Sequence, residues 1–450
     1  MIPVHVVALG CARNDADSEE LAGRLDVGGF ELVADPCDAE VIVVNTCGFI
    51  DAAKKDSIDS LLAMSALKEL GKTKAVVAVG CLAQRYGREL SEALPETDAV
   101  LSFDDYPRIA ERLTDILAGD KPLAHVPTDR RLQLPIAPSE RFGSWPANGP
   151  RQPRKRLTDS PSAALKIASG CDRRCAFCAI PYFRGSFLSR PMDEIVAEAE
   201  WLVSQGVKEV VLVSENTSSY GKDLSDPDAL VRLLRRLDRV EGLDWIRVSY
   251  LQPAEVKASL LEAIVSTPKA VPYFDLSFQH ASGSLLRRMR RFGDADSFLE
   301  LIGDIRELDP RAGIRSNVIL GFPGETEEDV RILADFLADA ELDAVGVFGY
   351  SDEEGTEGAA LDGKLSEDEI ADRAGEIASV VDHLIDARAA SRVGEDVLVL
   401  IEEHDGIGRA SHQGPEVDGT TQVAGDYPIG TIVRGHITET EGVDLLVEPY

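Results

Sequence analysis

Three cysteines stand within eight residues, at Cys171, Cys175 and Cys178, in a CxxxCxxC pattern directly after an apolar stretch. Three thiolates suit a four-iron cluster and leave one iron without a protein ligand. Such an open iron can chelate the amino and carboxylate groups of S-adenosylmethionine. Zinc would prefer four ligands, and the nearest histidines, His125 and His280, are remote in sequence. The pattern therefore predicts an iron–sulfur cluster, against the simpler alternative of three small buried hydrophobic side chains.

A second set of cysteines is dispersed, but each member follows a short apolar stretch, at Cys11, Cys47 and Cys81. The carboxyl ends of parallel strands lie along one edge of a sheet, so three distant cysteines can converge there. A glycine beside each cysteine would let the backbone approach a bulky ligand, at Gly10, Gly48 and Gly80. This placement predicts a second cluster. The alternative is three separate cysteines that face a hydrophobic core.

The seventh cysteine, Cys37, ends no apolar stretch and is predicted to be an ordinary loop thiol. Residues 1–9 lack the basic segment and cleavage site of a signal peptide, and they predict a first β-strand instead. An odd number of cysteines in a long chain without a secretion signal favours metal chemistry over disulfides. No apolar run approaches the length of a membrane span. We therefore expect a cytoplasmic protein without a membrane partner.

The elements that must position the dispersed cysteines alternate along residues 1–130. Apolar stretches predict strands at 4–9, 41–44 and 75–79, and polar stretches predict helices at 17–25, 51–70 and 82–90. This alternation is typical of an α/β domain with a parallel sheet whose two faces are covered. Residues 131–160 are rich in proline and glycine, which break helices and sheet ladders, and they predict a linker.

A second α/β series begins after the linker and forms the predicted domain 161–387. Its strands are expected at 165–168, 209–213, 245–249, 273–278, 314–320 and 344–349, with helices such as 192–204 and 325–337 between them. Six such repeats predict a full or partial parallel barrel. A long helix is expected at 367–392. The last domain, 388–450, carries predicted strands at 397–401, 433–437 and 444–447, which suit a small β-barrel.

The charge distribution bears on the partner. The chain carries 79 acidic and 47 basic residues, for a net charge of −32. Residues 393–450 contain twelve acidic residues against only Arg409 and Arg434, a net charge of −10. Such a barrel should repel a phosphate backbone and attract a Lys/Arg-rich protein. The charge argues against direct nucleic-acid binding, although an acidic barrel could also serve only to cap the core and keep the protein soluble.

Several motifs together resemble the methylthiotransferase family. They include Gly10-Cys-Ala-Arg-Asn, Asn45-Thr-Cys-Gly-Phe-Ile, Gly170-Cys-Asp-Arg-Arg-Cys-Ala-Phe-Cys-Ala-Ile-Pro, Leu320-Gly-Phe-Pro-Gly-Glu-Thr and Phe348-Gly-Tyr-Ser-Asp-Glu-Glu-Gly-Thr. The resemblance covers nearly the whole chain. It implies an N-terminal cluster domain, a radical-SAM core shaped as a partial (βα)6 barrel, and a C-terminal TRAM barrel. Both cysteine sets of the family are intact.

Two branches of that family are relevant, and they differ in substrate. One modifies an adenosine in tRNA, and the other modifies an aspartate of small-subunit ribosomal protein twelve. The second is the more similar, through Cys11-Ala-Arg-Asn-Asp-Ala-Asp-Ser-Glu, Val213-Ser-Glu-Asn-Thr-Ser-Ser-Tyr-Gly, Phe278-Gln-His-Ala-Ser and Gly414-Pro-Glu-Val-Asp-Gly. Proteins of that branch usually carry Gln-Asp where this chain has Glu215-Asn216. The tRNA branch and a non-catalytic iron–sulfur carrier remain the alternatives.

The resemblance implies two 4Fe-4S clusters and S-adenosylmethionine as cofactors. A low-potential donor such as flavodoxin or ferredoxin would supply an electron, a 5′-deoxyadenosyl radical would attack the β-carbon of the aspartate, and the product would be 3-methylthioaspartate. No catalytic side chain is expected beyond the cofactors, because the cofactors carry this chemistry. Contacts to S-adenosylmethionine are predicted for Phe177, Ser214, Glu215, Gly321 and Gly324.

One basic cluster lies outside these motifs, at Arg287, Arg288, Arg290 and Arg291. Its spacing is typical of a solvated helix face. A role in balancing the acidic surface or in holding a carboxylate is the alternative.

Overall fold

The structure is a computed structural model that describes residues 1–132, 154–415 and 418–450. These residues form two compact units. The first comprises Met1–Asp159, Ala164–Arg173 and Ala179–Glu194, and the second comprises Ser160–Ala163, Arg174–Cys178 and Ile195–Tyr450. The predicted linker falls mostly on residues 133–153, which lie outside the described residues. The predicted domain boundaries therefore stay predictions.

A five-stranded parallel sheet forms the centre of the first unit. Its strands are β1 (Ile2–Ala8), β2 (Phe30–Leu32), β3 (Val41–Thr46), β4 (Ala75–Val79) and β5 (Ala99–Val100). They lie in the order β2-β1-β3-β4-β5. Every residue of β3 and β4 is buried, because valine-rich strands of a parallel sheet are covered on both faces. This sheet confirms the predicted N-terminal α/β fold and adds two short strands, β2 and β5.

Six α-helices lie in the part of the first unit that the structure describes. They are α1 (Ala12–Val27), α2 (Asp51–Ala66), α3 (Gly80–Tyr86), α4 (Arg88–Ala93), α5 (Ile109–Leu117) and α6 (Ile180–Arg184). The first helix begins directly after Cys11, earlier than predicted, and buries polar residues that the hydrophobic pattern could not place. The predicted helix 82–90 is two helices, because the chain turns at Gly87 with φ of 42°.

Consecutive parallel strands build the core of the second unit. Strand β6 (Ser162–Lys166) begins in this second unit. The antiparallel pair β7 (Ala168–Ser169) and β8 (Leu188–Ser189) belongs to the first unit. The strands that follow are β9 (Glu209–Val213), β10 (Trp245–Val248), β11 (Tyr273–Gln279), β12 (Gly313–Leu320) and β13 (Ala344–Gly349). Parallel pairing joins β9 to β10 and β11 to β12 to β13. A parallel bridge from Leu251 to Leu276 links the two groups.

Helices alternate with these strands, as the predicted partial barrel requires. They are α7 (Met192–Ser204), α8 (Ala229–Leu237), α9 (Ala258–Ser266), α10 (Gly283–Arg288), α11 (Ala295–Leu308), α12 (Glu327–Ala340) and α13 (Glu367–Ser391). Short 3₁₀ turns occupy Pro36–Asp38, Leu67–Leu70, Phe103–Arg108, Arg130–Leu132, Thr217–Ser219, Lys222–Leu224, Pro253–Glu255, Gly358–Ala360 and His404–Gly406. Among the described helices, none is long and apolar enough to cross a bilayer.

A closed five-stranded barrel ends the chain, as predicted. Its strands are β14 (Asp396–Ile401), β15 (Ile407–Ala410), β16 (Thr421–Val423), β17 (Ile432–Glu441) and β18 (Asp444–Pro449), in the closed order β14-β15-β16-β18-β17. Three of them were predicted. The other two, β15 and β16, are only four and three residues long. Each also contains polar residues, including the buried arginine of β15, so neither shows an apolar pattern in the sequence.

A buried ion-pair network joins this barrel to the parallel core within the second unit. Glu209 is fully buried on β9. It accepts a 2.7 Å hydrogen bond from Arg247 Nε on β10 and another from the Arg409 guanidinium on β15. Arg409 also donates to Glu402, at 2.9 Å. Burial alone would raise the pKa of Glu209, but the two guanidinium groups lower it to about 2. The carboxylate therefore stays ionised between two cations.

We predict that Glu209→Gln destabilises the second unit by about 3 kcal/mol, because removing one partner leaves buried charges uncompensated. Urea unfolding followed by circular dichroism measures the loss. The pKa of Glu209 lies below its ordinary value of 4.5. Its contribution is therefore complete above pH 4.5 and is lost as the pH falls towards 2. Wild-type stability should fall more steeply over that window than the stability of the variant.

The matched control is Glu241→Gln, which changes an exposed glutamate of the same unit. Equal stability of the two variants would contradict the role assigned to the buried network.

Candidate functional site

Three cysteines gather at the carboxyl edge of the first unit's parallel sheet. Cys11 is the residue before α1, Cys47 follows β3, and Cys81 lies in the first turn of α3. The strands that precede them, β1, β3 and β4, are neighbours in the sheet. The structure thus brings together the dispersed set that the sequence analysis singled out. The amino-terminal ends of α1 and α3 also favour negative charge there, which suits thiolates.

Glycines allow the backbone segments that carry these thiols to approach one another closely. Gly10 has φ of +97°, and a Cβ placed on it would lie 2.8 Å from Cys47 Cβ and 3.0 Å from Cys47 Sγ. A Cβ on Gly48 would lie 2.8 Å from the backbone nitrogen of Leu82. Larger residues at these positions would therefore push the cysteine-bearing segments apart.

Two polar side chains that the sequence analysis missed hold these segments in place. Asn14 Nδ2 donates to the carbonyl oxygens of Leu9 at 2.6 Å and Thr46 at 3.3 Å, which ties the start of α1 to two strand ends. Ser57 Oγ accepts a 2.9 Å hydrogen bond from the Cys47 amide. Asn14 belongs to the Gly10-Cys-Ala-Arg-Asn motif, although no role was predicted for it, and Ser57 has no type or spacing that marks it in the sequence. Only the fold brings it to the site.

The electrostatics of the three thiols fit a metal cluster. Burial raises the pKa of Cys11 to about 11, and the charges of Cys81 and Cys47 act in the same direction, although the residue keeps exposed surface. Burial, reinforced by Cys81, also raises the pKa of Cys47. Three thiolates this close repel one another, and positively charged iron would relieve that repulsion. The donor set is the one that iron–sulfur clusters use.

The thiols are not arranged around one ion. In the described ranges, no three His, Cys, Asp or Glu side chains are placed to hold a single metal ion. A four-iron cluster binds each thiolate through a different iron, so its ligands stand farther apart than those of one ion.

Buried charges pack against the cysteine edge. Arg184, at the end of α6, donates from Nη2 to Cys81 Sγ at 3.0 Å and from Nη1 to Asp17 Oδ2 at 2.9 Å. Asp17 also accepts a 2.7 Å hydrogen bond from Lys166, which pairs with Glu20 at 2.8 Å. Arg13 donates to Ser169 Oγ at 2.7 Å. The chain segment just before Cys171 therefore packs against the helix that begins after Cys11.

The cysteines of the CxxxCxxC motif lie in both units. In the first unit, the Cys171 amide donates to the carbonyl of Gly185 at 3.1 Å. In the second unit, the Cys178 amide donates to the carbonyl of Cys175, also at 3.1 Å. The intervening Ala176 is held on both sides, since its amide donates to Met289 and its carbonyl accepts from Gly358. The turn that presents Cys175 and Cys178 is therefore fixed by backbone hydrogen bonds.

One member of the predicted basic cluster lies beside this motif. Arg291 is buried, and its Nη1 lies 3.8 Å from Cys175 Sγ and 2.5 Å from Gln252 Oε1. The interpretation of Arg291 as part of a solvated face is wrong. Helix α10 ends at Arg288, and the φ of +56° at Arg290 takes the following residues off the helical spacing. Arg290 itself pairs with Glu357 at the surface.

The predicted contacts to S-adenosylmethionine lie in the second unit. Phe177 and Glu215 are partly buried, and Ser214 is buried after β9 with its Oγ 3.2 Å from Thr217 Oγ1. The Gly321 amide donates to the Glu325 carboxylate, and the Gly324 amide donates to the carbonyl of Gly363. Since both amides already have partners in the chain, the glycines shape the turn between β12 and α12. Their contact with the cofactor stays a prediction.

Comparisons with known proteins agree with this architecture. Residues 3–102 match the family described as Uncharacterized protein family UPF0004, residues 165–337 match the Radical SAM superfamily, and residues 393–449 match the TRAM domain. Among solved structures, the chain is similar to the radical S-adenosylmethionine methyltransferase TsrM from Kitasatospora setae, with a TM-score of 0.55 and 16% identity over 77% of this chain and 73% of that one. At this identity, the similarity supports the fold alone.

Curated relatives match the whole chain. The chain is 58% identical to "Ribosomal protein uS12 methylthiotransferase RimO" of Cutibacterium acnes, over 100% of this chain and 98% of the relative. It is 57% identical to the protein of the same name from Kineococcus radiotolerans, over 99% and 97% of the two chains. The predicted resemblance to methylthiotransferases is confirmed. The chain belongs to the RimO family of methylthiotransferases, within the radical SAM superfamily.

Proposed function

We propose that this protein adds a methylthio group to the β-carbon of an aspartate in small-subunit ribosomal protein uS12. The observation that carries the proposal is full-length identity above half with several relatives of that name. When bound, two 4Fe-4S clusters and S-adenosylmethionine supply the radical and sulfur chemistry that an unactivated C–H bond requires. The side chains of this protein bind and orient those groups and exclude water.

The proposed ligands follow from the two cysteine sets. Cys171, Cys175 and Cys178 hold the cluster that binds S-adenosylmethionine. Cys11, Cys47 and Cys81 hold the auxiliary cluster, supported by their common position at one sheet edge. Cys37 is exposed and remains outside both sets.

Side chains near the first cluster are assigned to the cofactor. Phe177 packs against the adenine, and Ser214 and Glu215 hold the methionine amino group. Gly321 and Gly324 form the turn that approaches the ribose or carboxylate. The electron comes from a low-potential donor such as flavodoxin or ferredoxin, and the reaction takes place in the cytoplasm.

The barrel is the proposed recognition surface for the substrate. Of its two arginines, Arg409 is buried and paired, so Arg434 remains the exposed one. Exposed carboxylates dominate the rest of the described barrel surface, at Asp396, Glu403, Asp405, Asp426, Glu439, Glu441, Asp444 and Glu448. Such a surface favours a basic protein over tRNA.

Cysteine substitutions test the two clusters separately. Changing Cys171, Cys175 and Cys178 to Ala should halve the bound iron and abolish 5′-deoxyadenosine formation. Changing Cys11, Cys47 and Cys81 to Ala should also halve the iron, but it should leave reductive cleavage of S-adenosylmethionine intact and stop methylthiolation. Iron analysis and mass spectrometry of uS12 measure these outcomes.

Cys37→Ala is the control and should keep full iron and activity. Cleavage of S-adenosylmethionine by the first triple variant would overturn the assignment of the radical cluster. A normal yield of methylthiolated uS12 from the second triple variant would refute the proposal that Cys11, Cys47 and Cys81 hold a cluster needed for the reaction.

A glycine substitution tests the close packing at this site. Gly10→Ala should lower the iron held by the auxiliary site at least severalfold, because the new Cβ meets Cys47. Gly119→Ala is a matched control, since Gly119 has the same φ of +97° but nothing within 4 Å of an added Cβ. Both variants carry the backbone strain of about 1 kcal/mol, so only the Gly10 variant should lose iron. Equal iron in the two would show that the close approach is unnecessary.

Charge reversal tests substrate recognition. Glu439, Glu441 and Glu448, all changed to Lys, should slow association with uS12 by about tenfold at low salt, because opposite charges speed encounter. Glu402 is left unchanged because it pairs with buried Arg409. Stopped-flow binding measures the rate, and higher salt should reduce the difference between wild type and variant.

The control reverses three exposed acids on α13, Asp372, Glu376 and Asp382, for the same change in net charge. An equal loss in both variants would show that net charge, rather than the barrel surface, sets the rate. Productive binding of tRNA without binding of uS12 would move the protein to the tRNA branch.

A further inference from the structure

One buried arginine, Arg184, donates a hydrogen bond to Cys81, one of the three cysteines at the edge of the first unit's sheet. The Arg184 side chain is 3% exposed, and its Nη2 donates to Cys81 Sγ at 3.0 Å. The guanidinium also lies over the Phe103 ring, 4.5 Å from its centroid. This arginine follows Cys178 by only six residues in the chain. The segment that carries the radical motif thus also supplies a donor to the other cysteine set.

A chain of buried ion pairs fixes the direction of the Arg184 guanidinium. Its Nη1 donates to Asp17, which is held in turn by Lys166, and Lys166 also pairs with Glu20. Lys166 is fully buried, and both carboxylates are at most 5% exposed. Burial would raise the pKa of Asp17, but Lys166 and Arg184 lower it well below its usual range. Asp17 therefore stays ionised and holds Nη1 of Arg184, which leaves Nη2 directed at Cys81 Sγ.

A charge-assisted hydrogen bond to a cluster sulfur has a defined electronic effect. Reduction adds one negative charge to an iron–sulfur cluster, and a neighbouring cation or N–H donor stabilises the reduced form more than the oxidised form. Burial strengthens this effect, because water screens the interaction less. A positive group fixed beside one ligand sulfur should therefore raise the reduction potential of the cluster.

We propose that Arg184 is a positioning residue that orients Cys81 and raises the reduction potential of the auxiliary cluster. The inference rests on the proposed function, since it takes Cys11, Cys47 and Cys81 as ligands. A purely structural role would need only the Asp17 ion pair. Arg154 provides that comparison, because it is equally buried and pairs with Glu19 of the same helix at 2.7 Å. The Arg154 guanidinium donates to the Ala164 carbonyl oxygen and to the Glu19 carboxylate, each at 2.7 Å, so both of these partners are oxygens.

The test uses the full chain in the Cys171/Cys175/Cys178→Ala background, which leaves only the auxiliary cluster. Redox titration followed by electron paramagnetic resonance gives its midpoint potential. Arg184→Met should lower the ratio of reduced to oxidised cluster at least tenfold at the parent's midpoint, a shift of about 59 mV for one electron. Arg184→Lys keeps the charge but cannot bridge Asp17 and Cys81 together, so its shift should be smaller and of the same sign.

Arg154→Met is the matched control and should leave the midpoint unchanged. An unchanged midpoint in an iron-loaded Arg184→Met protein would overturn the inference, and so would an equal shift in the control. If Arg184→Met does not fold or load iron, Arg184→Lys is measured instead. An unchanged midpoint potential in that variant, or a shift equal to that of the control, would overturn the inference. Failure of the parent background to bind iron would instead refute the ligand assignment of the proposed function.

Discussion

The structure depends on one constraint, the common direction of the strands in the first unit's sheet. Parallel strands present all their carboxyl ends at the same edge. Because β1, β3 and β4 are adjacent, the residues that follow them meet there, although they are far apart in the chain. Strands β3 and β4, which end at this edge, are buried along their whole length. Three thiols are thereby gathered at one edge of the sheet.

Charges inside the protein perform two separate tasks. In the first unit, the network of Arg13, Asp17, Glu20, Lys166 and Arg184 lies beneath the cysteine edge. In the second unit, Glu209 with its two arginines joins the barrel to the parallel core. Buried ion pairs are weak contributors to stability when compared with hydrophobic packing, but they demand a particular geometry. Here they fix the direction of charged groups beside the three cysteines of the first unit and between the barrel and the parallel core of the second.

The surface of the barrel shows the opposite use of charge. Of the two arginines of the barrel, Arg434 is exposed among its surface carboxylates, whereas Arg409 is turned inward towards Glu209. Exposed charges of one sign stabilise little but attract partners of the other sign over about 8 Å at physiological salt. The same residue type therefore acts as a structural anchor at Glu209 and forms part of the proposed recognition surface at Glu439 and Glu441.

The sequence by itself determined the cysteine spacing, the alternation of strands and helices, and the acidic character of the barrel. These are local patterns, and eight residues of chain were enough to predict a cluster site at Cys171, Cys175 and Cys178. Only the tertiary structure decided the partners of the arginines. Arg184 meets a sulfur 103 positions away in the chain, and Arg291 turns inward where a helical pattern predicts solvent. Such contacts depend on how distant elements pack, and no local pattern of residues encodes that packing.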